Sequence, residues 1–121
     1  MKYLTSHDGD LIVISCKGSI QERDEKNFKD LVKVCLDANA GAVLFDWSQV
    51  TFFDSTGLES LLVFFKTIKA NPAVKLGIFI TDPDLISAYT TLNFDRIIPI
   101  FMTREEAYSN LAPMSTADSP K

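Results

Sequence analysis

Histidine occurs once, at His7, and cysteine twice, at Cys16 and Cys35, in a chain of 121 residues. That scarcity removes whole classes of chemistry. Zinc sites are built from three or four clustered Cys, His or carboxylate ligands. Here neither cysteine belongs to a Cys-x-x-Cys pair or a His/Cys cluster. A Ser-His-Asp hydrolase would need His7 to reach a serine with a carboxylate behind it, and the chain has no Gly-x-Ser-x-Gly elbow. Glycine is scarce too. Its five copies are scattered, leaving no phosphate-binding loop and no Gly-x-Gly-x-x-Gly turn. Without a base, a metal or a cofactor fingerprint, the chain is read as a non-enzyme with no cofactor. Cys16 and Cys35 lie in apolar neighbourhoods and read as buried free thiols.

Positive charge is also in short supply. Twelve Lys and Arg against sixteen Asp and Glu leave a net charge of −4. Nucleic-acid binding needs a basic face, so it is disfavoured. The longest wholly apolar run is Leu61-Leu62-Val63-Phe64-Phe65, far too short to span a bilayer. Polar residues follow Met1-Lys2-Tyr3 at once, so no signal peptide is visible. No membrane insertion and a cytoplasmic location are the expectations. With 46% hydrophobic and 23% charged residues, the chain has the composition of one ordinary globular domain. A domain of this length buries about two-thirds of its unfolded surface and needs neither disulfide nor metal.

The hydrophobic pattern predicts alternating strands and helices. Residues 3–6 form a short strand candidate, Asp8-Gly9 marks a tight turn, and residues 11–16 are an apolar run of strand length. Gly18 reads as the end of that strand, and Ser19-Ile20-Gln21-Glu22 as a capping box. Phe28, Leu31, Val32, Cys35 and Leu36 make a helical stripe. A second buried strand spans residues 42–45, with an alternating stretch to Phe53. The helix from Ser55 to about Ala70 carries a stripe of Leu58, Leu61, Leu62, Phe65 and Ile68, with Phe64 at its edge and Val63 exposed on the far side. A strand at 74–80 and a helix with Leu85, Ile86, Tyr89 and Leu92 follow. Asn93 marks a left-handed helix stop, and residues 97–101 an edge strand that contains Pro99. Thr103 caps a last helix with acids in its first turn. The order is β-β-α-β-α-β-α-β-α: an α/β fold whose sheet is opened by an antiparallel hairpin, parallel thereafter and covered by helices. Residues 113–121 read as a disordered polar tail.

Asp54-Ser55-Thr56-Gly57 stands where strand gives way to helix. A helix start has unpaired N–H groups and a positive dipole end, so it favours negative charge. Asp54 and Ser55 there serve as plain caps, or Ser55 carries a phosphate; spacing alone leaves both open. A charge at such a site is worth about 0.3–1 kcal/mol, while phosphate beside Asp54 is repelled. Phosphorylation should therefore act on whatever docks here more than on the fold. Gly57 would let a partner approach closely, and Val63 hints at a contact surface.

Phe45-Asp46-Trp47-Ser48-Gln49-Val50-Thr51-Phe52-Phe53-Asp54-Ser55-Thr56-Gly57-Leu58 resembles the signature of STAS domains, in particular the bacterial anti-sigma factor antagonists. Leu92-Asn93-Phe94-Asp95-Arg96-Ile97-Ile98-Pro99-Ile100-Phe101 with Glu105-Glu106-Ala107 is a second match. The resemblance runs from residue 3 to about 111 and implies a STAS domain over 1–112. It also implies partner switching. In such families the unphosphorylated domain binds an anti-sigma factor, a serine kinase of the histidine-kinase-like ATPase fold, and frees the sigma factor. The kinase phosphorylates the serine after the motif's aspartate, which falls on Ser55; the complex separates, and a PP2C-type phosphatase resets it. Asp54 would lie beside the phosphoacceptor, with Thr56 and Gly57 in the docking surface. The chain departs from the pattern at Gly18-Ser19-Ile20-Gln21, where many antagonists carry acids. Gln21 near the serine would alter kinase affinity or partner choice, and Trp47 replaces a smaller aliphatic residue. The alternative is a constitutive interaction module, such as the STAS subunit of a lipid-transport ABC complex, in which Ser55, Thr56 and Val63 dock a partner unmodified. A sulfate-transporter cytoplasmic domain is a third reading, disfavoured by the Met1 start and the lack of a membrane span.

Overall fold

A computed structural model describes residues 1–111; the tail expected at 113–121 lies outside them. The elements are β1 (Lys2–Asp8), β2 (Leu11–Ile20), α1 (Glu25–Asp37), β3 (Ala42–Phe53), α2 (Ser55–Ile68), β4 (Lys75–Phe79), α3 (Pro83–Thr91), β5 (Ile100–Phe101) and α4 (Arg104–Leu111). Short 3-10 turns at Glu22–Asp24 and Phe94–Arg96 precede α1 and β5. The order is the β-β-α-β-α-β-α-β-α expected from the pattern. The strands form one sheet in the order β1-β2-β3-β4-β5. β1 is antiparallel to β2, and every other pair is parallel.

Side-chain alternation divides the core between the two faces of the sheet. Ile12, Ile14 and Cys16 of β2 and Val43, Phe45 and Trp47 of β3 face α1, α2 and α3. Leu11, Val13, Ala42 and Leu44 point the other way, against Ala107 and Leu111 of α4. Coverage of both faces explains why β2 reads as a continuous apolar run rather than an alternating one. Phe64 lies at the centre of the larger core, with its ring centroid 5.0 Å from Phe45 and 6.4 Å from Phe28.

Several local expectations are corrected. Gly18 does not end β2. The strand continues to Ile20, and the register against β3 slips between Ser15 and Lys17 and again between Gly18 and Ser19. Gly18 takes φ +92° at this irregularity, a conformation that favours glycine. The capping box expected at Ser19 is therefore absent, and only the reach-back half of one forms, at Gln21 and Asp24. Ser19 stays in the strand, and the Gln21 N–H donates to Asp24 Oδ2 at 2.8 Å while the Asp24 N–H donates to the Gln21 carbonyl at 2.9 Å. Leu36 is 58% exposed rather than part of the stripe. In α2 the buried line is Leu58, Leu61, Phe64 and Ile68, with Leu62 and Phe65 only half-buried. α1 packs beside α2 and draws Phe64 inward. β3 runs unbroken to Phe53, and β5 is only two residues long, at the sheet edge as Pro99 suggested. Asn93 has the expected left-handed conformation, φ 62°.

Candidate functional site

The register of β2 and β3 builds the start of α2. Ile20 pairs with Phe53 at the end of the parallel ladder. One residue on, the Asp54 N–H donates to the Ile20 carbonyl at 3.2 Å. Asp54 then turns its extended backbone into the helix, and its carboxylate accepts from the Gly57 N–H at 2.7 Å. This is an N-cap, with one orphan donor of the helix start satisfied by a side chain. Phe53 before the cap and Leu58 at the fourth helical position are buried in the same core, the arrangement of a hydrophobic staple.

Gly57 is buried, and the close approach it permits is internal. A Cβ there would stand 2.6 Å from the Ile20 carbonyl oxygen and 3.0 Å from its carbonyl carbon. The glycine thus lets α2 press against the end of β2. Ser55, by contrast, is exposed at the first helical position. Its hydroxyl makes no hydrogen bond among the described residues, and the Ser55 and Thr56 N–H groups stay outside the cap bond. An anion on Ser55 would meet free donors and the positive end of the α2 dipole, with Asp54 as the opposing charge.

Thr56 and Val63 share a groove between α1 and α2 with a volume of about 610 Å³. Its floor is Phe28, Val32 and Phe64, and Glu22, Glu25 and Glu59 border it with Lys29. Val63 is 59% exposed and lies about 12 Å along α2 from Ser55 at 1.5 Å per residue. Gln21 is half-buried and follows Ile20, the residue that touches both Asp54 and Gly57. Ser55, Asp54, Gln21 and Gly57 therefore gather at the helix start, while Thr56 and Val63 extend the surface along the groove.

Sequence reasoning missed the acidic border. Glu22 and Glu25 reach this surface only because the 3-10 turn and α1 pack beside α2, which no local pattern reveals. It also missed Phe52, exposed two residues before Asp54. On the opposite face of the sheet, Asp46 is buried and bound by Arg104 at 2.8 Å and by the Ser48 hydroxyl and N–H. That pair ties α4 to β3, and Arg104 also lies over the Phe79 ring. Trp47 is fully buried against Phe45 and Phe53, so it fills the core beneath β3. Its Nε1 lacks a hydrogen-bond partner among the described residues. Among those residues no group of three or more His, Cys, Asp or Glu could hold a metal, and no helix is long and apolar enough to cross a membrane.

Residues 3–107 match the family model for the STAS domain. No curated protein matches the sequence. Among solved structures, an anti-sigma factor antagonist from Mycobacterium paratuberculosis is similar, with a TM-score of 0.81 at 19% identity over 93% of this chain and 94% of that one. A putative anti-sigma factor antagonist from Thermotoga maritima has a TM-score of 0.78 at 18% identity, covering 92% of this chain and 95% of that one. The Bacillus cell fate determinant SpoIIAA in its phosphorylated form has a TM-score of 0.66 at 13% identity, covering 90% and 98%. At these identities the likeness is one of fold.

Proposed function

The chain belongs to the STAS domain family, and from that premise we propose that it is an anti-sigma factor antagonist that works by partner switching. The unphosphorylated form binds an anti-sigma factor serine kinase. Phosphorylation of Ser55 releases it, and a PP2C-type phosphatase restores the binding form. The observation that carries this reading is the exposed, unbonded Ser55 hydroxyl at a helix start already capped by Asp54. Because Asp54 does the capping, Ser55 is spare for modification. Support also comes from the fold neighbours that are anti-sigma factor antagonists, one of them a phosphorylated form.

Phosphate would bring a charge of about −1.5 to −2 onto a surface already bordered by Asp54, Glu22, Glu25 and Glu59. A partner covering Ser55 would have to desolvate it. Thr56, Gln21 and Val63 take the role of docking residues, and Gly57 that of holding the helix start in place. Calorimetry against the cognate kinase tests this. Ser55→Ala should bind like the parent and Ser55→Glu at least about tenfold more weakly, a difference of about 1.4 kcal/mol. Equal affinities for Ala and Glu would overturn electrostatic release.

The exposed Val63 and its groove favour one second reading: a constitutive STAS interaction subunit, for example of a lipid-transport ABC complex. It predicts that Val63→Glu abolishes partner binding while protein from cells carries no phosphate. A pull-down that recovers an ATPase and a permease, rather than a kinase and a phosphatase, would establish it.

A further inference from the structure

The two edges of the sheet are built differently. β5 offers two residues behind Pro99, a blunted edge. β1 offers seven, with no proline, and its register against β2 is unbroken from Lys2 opposite Lys17 to Asp8 opposite Leu11. A long, regular edge strand is a template for pairing with another chain. We propose that β1 pairs antiparallel with β1 of a second copy of this chain, across a two-fold axis at Thr5, to join the two sheets into one.

The register follows from the hairpin. Gly9-Asp10 is a two-residue loop, with Gly9 at φ 62° as a hairpin turn requires. The flanking pair, Asp8 and Leu11, then closes the ladder with both its hydrogen bonds. Bonded pairs alternate back along the strand through Ser6, Leu4 and Lys2. The N–H and C=O groups of Tyr3, Thr5 and His7 therefore point away from β2. A two-fold axis at Thr5 matches all of them: Thr5 pairs with Thr5 of the second copy, and Tyr3 with His7 of the second copy.

The same register satisfies two other features of the strand. Lys2 and Asp8 are both exposed and make no ion pair among the described residues. They would stand directly opposite Asp8 and Lys2 of the second copy, and opposite charges in such cross-strand pairs attract. Leu4 is 78% exposed, more than any other large hydrophobic side chain among the described residues. It would lie diagonal to Leu4 of the second copy on the same face, within about 7–8 Å. A register slipped by two residues would keep the backbone bonds but lose the Lys2–Asp8 match.

An interface of one strand falls at the small end, under about 1,200 Å². The dimer should accordingly be weak and depend on concentration. Sedimentation equilibrium from about 1 μM to about 1 mM, a span of about 4 kcal/mol in association free energy, reads it. Thr5→Pro removes an outward donor without touching the β2 ladder, since an edge strand tolerates proline on its solvent side. It should weaken the dimer at least tenfold with an unchanged far-UV circular dichroism spectrum. Lys2→Asp and Asp8→Lys should each weaken it, and the double variant should restore it. Amide exchange provides a separate readout: Tyr3, Thr5 and His7 should gain protection as concentration rises, while Leu4 and Ser6 are protected throughout. A chain that stays monomeric to about 1 mM overturns the proposal. So does a dimer indifferent to Thr5→Pro, or protection of the β1 edge seen only with a different protein bound.

Discussion

Gly57→Ala sets a gain in helix propensity against a clash, and the structure decides the sign. Gly57 does not have a positive φ, so alanine fits the backbone conformation, and in an exposed helix the change would stabilise by about 0.8–1 kcal/mol. Here the added Cβ would stand 2.6 Å from the Ile20 carbonyl oxygen and 3.0 Å from both its carbonyl carbon and Cγ2. The oxygen belongs to backbone in a paired strand, so it cannot simply rotate aside. Overpacking of this kind costs about 1–3 kcal/mol. Moving the Ile20 carbonyl also weakens its 3.2 Å bond from the Asp54 N–H, a bond worth about 1 kcal/mol. The balance is a destabilisation of about 1–3 kcal/mol, and each kcal/mol should lower Tm by about 3–5 °C in a domain of this size. Urea unfolding followed by Trp47 fluorescence measures it, since Trp47 is the single tryptophan and fully buried. Ser87→Ala, at an exposed position in α3, is the control and should be neutral or slightly stabilising. A Gly57→Ala midpoint equal to or above the parent's would refute the close packing of α2 on β2.

Other predictions concern the same molecule. Asp54→Ala should cost about 1 kcal/mol through loss of the Gly57 N–H bond, and Asp54→Asn only a few tenths, both read by urea midpoint. Asp24 is buried, which pushes its pKa up, but the Met1 ammonium, the Gln21 N–H and Asn27 outweigh that and hold it below 3.8. The folded state therefore binds this proton less readily than the unfolded chain. The stabilisation is fully present above about pH 4 and lost as pH falls through the folded value; Asp24→Asn should remove that part of the acid limb in a pH series of unfolding curves. Burial pushes Cys16 up to about 12 and Cys35 up to about 11. Both thiols should resist alkylation at neutral pH in the native protein and react once it is unfolded, and fast labelling of the native chain would contradict their burial.

Legibility in the sequence followed the range of the interactions. The element order and the Asp54 cap depend on residues within one or two turns of each other, and both could be read. Gly18 could not, because the sequence cannot separate a glycine that ends a strand from one that accommodates a bulge. The stripe of α2 was ambiguous by one position. Leu62, Phe64 and Phe65 all fit a helical face, and the neighbouring α1 with Phe28 decides which turns inward. The purpose of Gly57 lay in Ile20, 37 positions earlier, and the acidic border of the groove in Glu22 of the 3-10 turn and Glu25 of α1. The Asp46–Arg104 pair joins residues from opposite halves of the chain and left no local trace. Ser55 was nominated by spacing and family resemblance together, because a serine at a helix start is usually a cap. Its exposure beside a helix already capped by Asp54 emerges only in the fold.

The most direct test is to locate the phosphate. The protein, incubated with its cognate kinase and ATP, should gain a single phosphate that mass spectrometry places on Ser55, and Ser55→Ala should gain none. A Ser55→Ala variant phosphorylated as readily as the parent, or phosphate found on Thr56 instead, would contradict the account.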